Sequence, residues 1–586
     1  MSRLVITNSK DNCSLLHEHN CKSGFKENGC MLSTNLCIYS YSKLNFLSVN
    51  FLEKPNGFIA CAGTMIYKNK TGKESLGILY EDFYEGSIAQ VRKNLCGSYV
   101  IAIKQNNNVY VFVDETGTYA FYYHNKDGAF IATNTYYQIQ KCIHAKLDEL
   151  ALRERLIEYC NIDNATPFQN IYRLLGHEAI RIDLDNNTID IVEVEKNDYH
   201  FSISTEQSII YAMTKLIEKY AWQYSLLGKN SILFTTGGVD SRVYLSIQNF
   251  LKNKPVIANW QGSPIDMNSK DPDLLIAREL ADITSLDFME VDVSHNYEMD
   301  LSRLEEKIDK YGEYGLIYCG NSKWYEFFES NRFALYDFGY FGETIKGWEL
   351  LDEKYHDGFS VDDYLSLYCG RQKYKDESEE KLKVYVKNKI LEIIEEYGMK
   401  KNSLSREECM TLYFVYRIHA DTVCSNFANM FGYSANLFAE KEFVDLINQI
   451  PYEVKKDDHL NLVLTGSLDG RLTDVQYFTH CEYRCFDKNK VVLKAKNAKN
   501  NCLKEWLKRR RIGKLLVAIK HSLPSITNYF PSEIDKYKRV ALRFVKESSF
   551  ESITGMSVNH NSFSNDIMLL ELPGWAKLLY SVEKEK

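Results

Sequence analysis

The run Ser231-Ile232-Leu233-Phe234-Thr235-Thr236-Gly237-Gly238-Val239-Asp240-Ser241-Arg242 constrains this chain more than any other stretch. An apolar strand ends in two glycines, and an acid and a serine follow where a helix opens. Glycines let backbone N–H groups close around an anion, a helix opening at Asp240 aims its positive end at the same place, and an acid there can anchor a cation. Strand, loop and helix in this order imply a parallel α/β sheet with ligands at the carboxyl ends of its strands.

The surrounding pattern agrees. Residues 206–227 carry Ile209, Ile210, Met213, Leu216, Ile217 and Tyr220 at helical spacing. A helix is expected over 241–251, a strand over 255–260, a helix over 273–282 and a strand over 286–293. From 301 onward helices dominate, with one strand-like run at 333–338. Upstream, 46–194 alternates short runs rich in Val, Ile, Tyr and Phe with Asn-Gly, Asp-Gly and Asn-Asn turns, which is sheet-rich territory. Helical stretches such as 147–159 interrupt it, so this part is α+β. The fold class expected is α/β: an α+β sandwich over 1–200, a parallel-sheet domain with a helical C-terminal part over 201–540, and an extension over 541–586.

Composition narrows the function. A chain of 586 residues exceeds one core, and 45% hydrophobic with 26% charged residues is a globular balance. Neither a signal peptide nor a long uncharged apolar run is present, so a soluble cytoplasmic protein with no membrane partner is expected. The net charge of −8 argues against nucleic acid as a partner. The basic run 504–514 reads as a solvated helix face. The 15 cysteines are dispersed, as in a reducing compartment. Cys13, Cys21, Cys30 and Cys37, with His17 and His19 between them, lack zinc spacing, and Cys481 and Cys485 are not C-x-x-C. The 41 tyrosines read mainly as core and sheet residues.

Thr236-Gly237-Gly238-Val239-Asp240-Ser241 resembles the S-G-G-x-D-S pyrophosphate loop of ATP pyrophosphatases, and the G-K-[ST] ending of a P-loop is absent. A second element, Asp337-Phe338-Gly339-Tyr340-Phe341-Gly342-Glu343-Thr344-Ile345-Lys346-Gly347-Trp348, places a glycine four residues after Glu343. A third is Leu437-Phe438-Ala439-Glu440-Lys441-Glu442-Phe443-Val444-Asp445-Leu446, followed by Ile450-Pro451-Tyr452. In this order the three are similar to the pyrophosphate loop, the glycine-flanked acid and the P-F-L-D segment of the asparagine synthetase superfamily. The resemblance covers most of the chain. Gly97-Ser98-Tyr99-Val100-Ile101-Ala102 and the stretch from Asp114 to Tyr123 are similar to core strands of that family's glutaminase (Ntn) domain. Where those glutaminases begin Met-Cys this sequence has Met1-Ser2-Arg3, and no Arg-Gly-Pro or Asn-Gly-Glu element is found. A degenerate glutaminase domain without an ammonia source is the expectation, with a freed Ser2 as nucleophile the alternative.

The resemblance implies ATP and Mg²⁺ as cofactors. Thr236, Gly237, Gly238 and Ser241 would hold pyrophosphate, and Asp240 and Glu343 would hold the metal. Tyr340 falls where β-lactam synthetases carry a tyrosine that helps deprotonate the amine, with Asp421 as the candidate acid beside it. A charge-stabilising lysine belongs downstream of the third element, where Lys488 and Lys490 lie. Strand 256–260 would wall the adenine, with Leu233 and Phe234 as apolar cover. The activity implied is an AMP-forming amide-bond synthetase acting on a substrate-borne amine, as in β-lactam synthetases and lasso-peptide cyclases. The partner would be a small-molecule or peptide substrate, including a precursor peptide with a partner protease. Two alternatives stand beside it: asparagine synthesis from ammonia or glutamine, and a non-catalytic nucleotide-binding regulator.

Overall fold

The computed structural model describes residues 2–584 except 34, 85–86, 159, 252, 262–271, 294–296, 369–376, 480–481, 486–493, 496–532, 555 and 559–565. The basic run 504–514, Lys488, Lys490 and Cys481 therefore lie outside the described residues.

Two six-stranded antiparallel sheets build the N-terminal part. One runs in the order Tyr172–Arg173, Tyr122–Lys126, Ala129–Thr133, Leu4–Thr7, Cys37–Tyr41, Glu27–Leu32; the other runs Thr188–Glu193, Glu178–Asp183, Asn108–Val113, Tyr99–Gln105, Gly57–Gly63, Phe51–Lys54. The period-two alternation of Tyr99–Gln105 separates its faces. Val100 and Ala102 join Ile6, Ile38 and Ile131 in the core between the sheets. Ile101 and Ile103 point the other way, into a layer with Leu76 and Leu79 of helix Gly72–Asp82. The sheet territory starts at Leu4, well before residue 46, because the three earlier strands are separated by the helix Lys10–Lys22.

The second sheet system is parallel throughout. Its strands are β1 (Ser231–Phe234), β2 (Val256–Gln261), β3 (Phe288–Asp292), β4 (Leu335–Asp337) and β5 (Tyr433–Ala435), in the spatial order β3-β2-β1-β4-β5. All four residues of β1 are buried, as a central strand covered on both faces requires. Helix α1 (Glu206–Tyr224) precedes β1; Thr205 and Ser208 close its first turn with a capping box, and Ile209, Met213, Leu216 and Ile217 are its buried stripe. Helix α2 (Val239–Ile247) follows β1 and helix α3 (Pro272–Thr284) follows β2. The helix expected over 241–251 starts two residues earlier and gives way to a 3₁₀ turn at Gln248–Phe250. Strand β5 was not expected; its three residues are too few for periodicity to show.

Helices Glu349–Lys354, Val361–Tyr368 and Glu377–Glu396 pack around Leu351, Tyr364, Val386 and Ile390 as a lobe between β4 and β5. Helix α4 (Arg406–Ala428) leaves that lobe and leads into β5; α5 (Lys441–Gln449) and α6 (His459–Leu468) follow. The helix Asp566–Lys584 puts Trp575 and Leu578 into the same core as Tyr136 and Tyr314.

Candidate functional site

The strand order reverses between β1 and β4, and at such a switch point the two outgoing loops diverge and leave a crevice. The loops concerned are 235–238, after β1, and 338–348, after β4. Gly238 is the N-cap of α2 and Asp240 lies in its first turn. Ser241 Oγ donates to the Thr236 carbonyl at 2.9 Å and lies 3.2 Å from Thr236 Oγ1, which also receives the Gly238 N–H at 3.3 Å. The Gly237 N–H donates to Asp273 Oδ1 at 2.8 Å. A Cβ on Gly237 would sit 2.7 Å from that oxygen, so glycine is what lets the start of α3 close on the loop. The cradle thus already binds a carboxylate oxygen, supplied by the chain itself.

Asp240 stands at the centre of a charged cluster. Lys346 Nζ donates to its Oδ2 at 2.7 Å, and Asn461 Nδ2 of α6 donates to its Oδ1 at 2.6 Å and to the Gly342 carbonyl at 3.3 Å. Asp458 lies 4.0 Å from Lys346 Nζ. Burial pushes the Asp240 carboxyl above its usual range; Lys346 opposes that, while the charges of Glu343 and Asp458 add to it. A Cβ on Gly342 would lie 2.7 Å from the Asp240 Cβ, so the loops from β1 and β4 meet only because this residue has no side chain. Among the described residues no three carboxylate, imidazole or thiol groups converge to hold a metal by themselves. Asp240 and Glu343 still fit Mg²⁺ in the manner of phosphate-bridging sites, where one or two carboxylates act with phosphate oxygens and water. The ammonium of Lys346 is the cation that now meets Asp240.

The loop after β4 is unusual in backbone and in cover. Phe341 is fully buried at φ 69° and ψ 6°, a left-handed conformation costly for a bulky residue, and its ring packs 5.7 Å from Phe414 of α4. Phe234 lies between the rings of Trp260, 4.3 Å away, and Phe338, 4.8 Å away, and Phe338 stacks in turn on Tyr340 at 5.3 Å. The apolar cover expected of Phe234 is therefore built into an aromatic ladder along the strand ends, while Leu233 lies in the core with Val243 and Ile257. Tyr244 donates its hydroxyl to the Tyr340 carbonyl. Asp337, at the end of β4, accepts the Gly339 N–H at 2.9 Å, and burial pushes its carboxyl up to about 7.

The third element has another role. Glu440 Oε1 receives the Tyr224 hydroxyl at 2.7 Å, the Gly97 N–H at 3.0 Å and the Cys96 thiol at 3.4 Å. Gly97 and Cys96 belong to the N-terminal part, so this acid fastens the two sheet systems together. Burial pushes it up to about 7. The same seam closes over Ser2, which is 1% exposed: its amide donates to the Asn429 carbonyl at 3.1 Å and its hydroxyl accepts the Gly63 N–H at 3.0 Å. Lys43 Nζ donates to the carbonyls of Gly63 and Asn429.

The crevice brings together Thr236, Gly237, Gly238, Asp240 and Ser241 on one loop and Tyr340 and Glu343 on the other. Asp421 belongs to α4, and its side chain lies outside the described residues. Sequence reasoning missed four residues here. Lys346 and Asp337 stand within the second element itself, where a cation three residues after Glu343 and an acid ending a strand were available signals. Asn461 and Asp273 carry no local signal, because packing alone brings them to the loop.

No family model matches the chain, and no curated protein sequence matches it. Solved structures similar in part include glutamine phosphoribosylpyrophosphate amidotransferase from B. subtilis complexed with ADP and GMP, and a structure described as the allosteric regulatory enzyme of purine biosynthesis. The first is 9% identical over 50% of this chain and 91% of that chain, with a TM-score of 0.24. The second is 11% identical over 52% and 78%, also at 0.24. Likeness at that level assigns no residue of the crevice. Among the described residues no helix is long and apolar enough to cross a membrane.

Proposed function

We propose that this chain is an ATP-dependent, AMP-forming amide-bond synthetase that adenylates a carboxylate and joins it to an amine carried by the substrate, in peptide macrocyclisation or small-molecule amide formation. The observation that carries this reading is the convergence, at the switch point of a parallel sheet, of a Thr-Gly-Gly-Val-Asp-Ser loop with an acid and a lysine from the facing loop. In the reaction a substrate carboxylate oxygen bonds to the α-phosphorus of ATP and the bond to pyrophosphate breaks. The amine nitrogen then bonds to the acyl carbon, loses a proton, and AMP leaves.

The N–H groups of Gly237 and Gly238 and the hydroxyls of Thr236 and Ser241 would hold pyrophosphate once Asp273 withdraws. Asp240 and Glu343 would hold Mg²⁺, which supplies charge neutralisation for the leaving phosphates. Lys346, released from Asp240, would carry positive charge to the same oxygens, a part for which the sequence singled out no lysine, Lys488 and Lys490 being only near the expected place. Tyr340, with Asp421 from α4, is the candidate to take the amine proton; the packing of Phe341 on Phe414 brings α4 to this loop. A substrate-borne amine is favoured because the hydroxyl of Ser2 is closed in the seam and offers no nucleophile to glutamine.

The test is pyrophosphate release from ATP and Mg²⁺ over a carboxylate panel, with hydroxylamine present to trap the acyl adenylate as a hydroxamate. Hydroxamate and AMP in equal amounts support the reading; ADP in place of AMP overturns it. One observation favours a second reading, a non-catalytic nucleotide-binding regulator: Gly237 and Asp240 already have partners within the chain. Nucleotide binding without turnover over the whole panel would select it.

A further inference from the structure

A second cavity, of about 70 Å³, lies away from the crevice, between the N-terminal sheets, α4 and the helix Asp566–Lys584. It shares no residue with the loops after β1 and β4. Its polar lining includes Arg155, Arg173, Glu313, His419, Thr422 and Glu571, from well-separated parts of the chain.

Arg155 Nη2 lies 3.3 Å from each oxygen of Glu571, yet Arg155 Nη1 is buried with no hydrogen-bond partner among the described residues. Arg173 is 6% exposed, donates Nη2 to the Gly117 carbonyl at 2.7 Å, and leaves Nε buried without a hydrogen-bond partner among the described residues. No carboxylate pairs with Arg173 among the described residues. His419, 9% exposed, has no hydrogen-bond partner among the described residues, and burial with the nearby Arg173 holds its imidazole well below the usual range, hence neutral. Glu313 turns its oxygens to the Tyr136 and Tyr137 N–H groups at 3.4 and 3.5 Å, and burial pushes its carboxyl up to about 8. The cavity therefore presents two buried guanidinium donors, Arg173 Nε and Arg155 Nη1, with no hydrogen-bond partner among the described residues, while Glu571 Oε2 meets the Arg155 guanidinium at 3.3 Å. A buried unpaired cation is costly, and the group that relieves the cost is an anion.

The remaining walls are carbon. Tyr122, Tyr136, Leu316, Ile317 and Val423 line the cavity, and such surface favours a ligand with a hydrocarbon body over a bare inorganic anion. We propose that this cavity binds a small monocarboxylate with an aromatic or branched aliphatic body, its carboxylate on Arg173 Nε and Arg155 Nη1 and its body against the tyrosine and aliphatic wall. The site is independent of the nucleotide reading.

The test is calorimetric titration of the full chain with benzoate, 4-hydroxyphenylacetate and isovalerate, against benzamide as the uncharged isostere and inorganic phosphate as the bodiless anion. Saturable binding of at least one carboxylate is expected, with benzamide and phosphate at least about tenfold weaker. Arg173→Gln should weaken the carboxylate by at least about tenfold and remove its advantage over benzamide. Val423→Phe, which keeps both arginines and fills the space, should block binding even if Arg173→Gln fails to fold. Crystals soaked in 4-bromobenzoate should place the bromine signal beside Tyr122 and Val423. Absence of saturable binding by all three carboxylates, equal binding of benzamide or phosphate, or full binding by folded Val423→Phe would overturn the proposal.

Discussion

The crevice at Asp240 and the seam at Glu440 are each built around an acid from a recognisable segment, yet they are completed in different ways. Asp240 meets the ammonium of one flexible side chain and one amide, beside an exposed Thr236 and a loop whose N–H groups bond to side-chain oxygens. Glu440 takes three donors on a single oxygen, from an α1 phenol, a backbone N–H and a thiol. A carboxylate answered by a movable cation next to an open loop can exchange that partner for a ligand. One answered by groups on several rigid elements cannot, and its work is to fix their arrangement.

Variants can break or sharpen this contrast. The largest effect is expected for Asp240→Asn, which should lower carboxylate-dependent pyrophosphate release by about 100-fold or more, read in a coupled phosphate assay. A variant with unchanged turnover would move Asp240 to the structural side of the comparison. Lys346→Met should lower kcat by about 30-fold with a smaller change in nucleotide KM, since its charge is proposed to act on the leaving phosphates. Asp273→Ala should do the reverse at the binding step. Removing the internal carboxylate frees the Gly237 N–H, and affinity for a fluorescent ATP analogue should rise about fivefold. Weaker binding would show that Asp273 contacts the ligand rather than competing with it.

The seam predicts a pH signature instead. Glu440 is raised from 4.5 to about 7, so the native state holds this proton more tightly than the unfolded chain. Its contribution to stability therefore declines as pH rises from about 4.5 to about 7 and is flat above that. Glu440→Gln keeps the accepting oxygen and removes the charge, so apparent Tm should rise by about 2 °C at pH 8 and stay unchanged at pH 4. The smallest effect belongs to Ser2→Ala. It should leave any glutamine hydrolysis unchanged and cost about 1 kcal/mol in chemical denaturation, because the buried Gly63 N–H loses its acceptor.

Much of the parallel sheet was legible because each early strand is followed by a helix whose apolar residues recur at 3.6 spacing, and β1 is flanked by unmistakable turn residues. The first three strands were not, since Glu27–Leu32 is half-exposed on both faces and shows no clean alternation. The crevice was legible only where chemistry and neighbourhood coincide in sequence, as for Asp240, Ser241 and Glu343. Asn461 and Asp273 reach it through packing of α6 and α3, which no local pattern encodes. Glu440 was visible in sequence only as part of the third element; that it joins the two sheet systems is revealed by its three donors alone.

The edge strand β5 pairs with β4 across the whole stretch from Phe338 to Gly432, a lobe of helices with its own core. Pairing at that separation is slow to nucleate, because the intervening chain must be ordered before the strands reward each other. Asn461, which completes the hydrogen bonding of Asp240, lies later still. During synthesis the chain therefore passes through a long period with β4 unpartnered on one edge and the surroundings of Asp240 unfinished. A ribosome-stalled chain ending before β5 should be the species that chaperones engage, and nucleotide should stabilise the chain only after α6 has emerged.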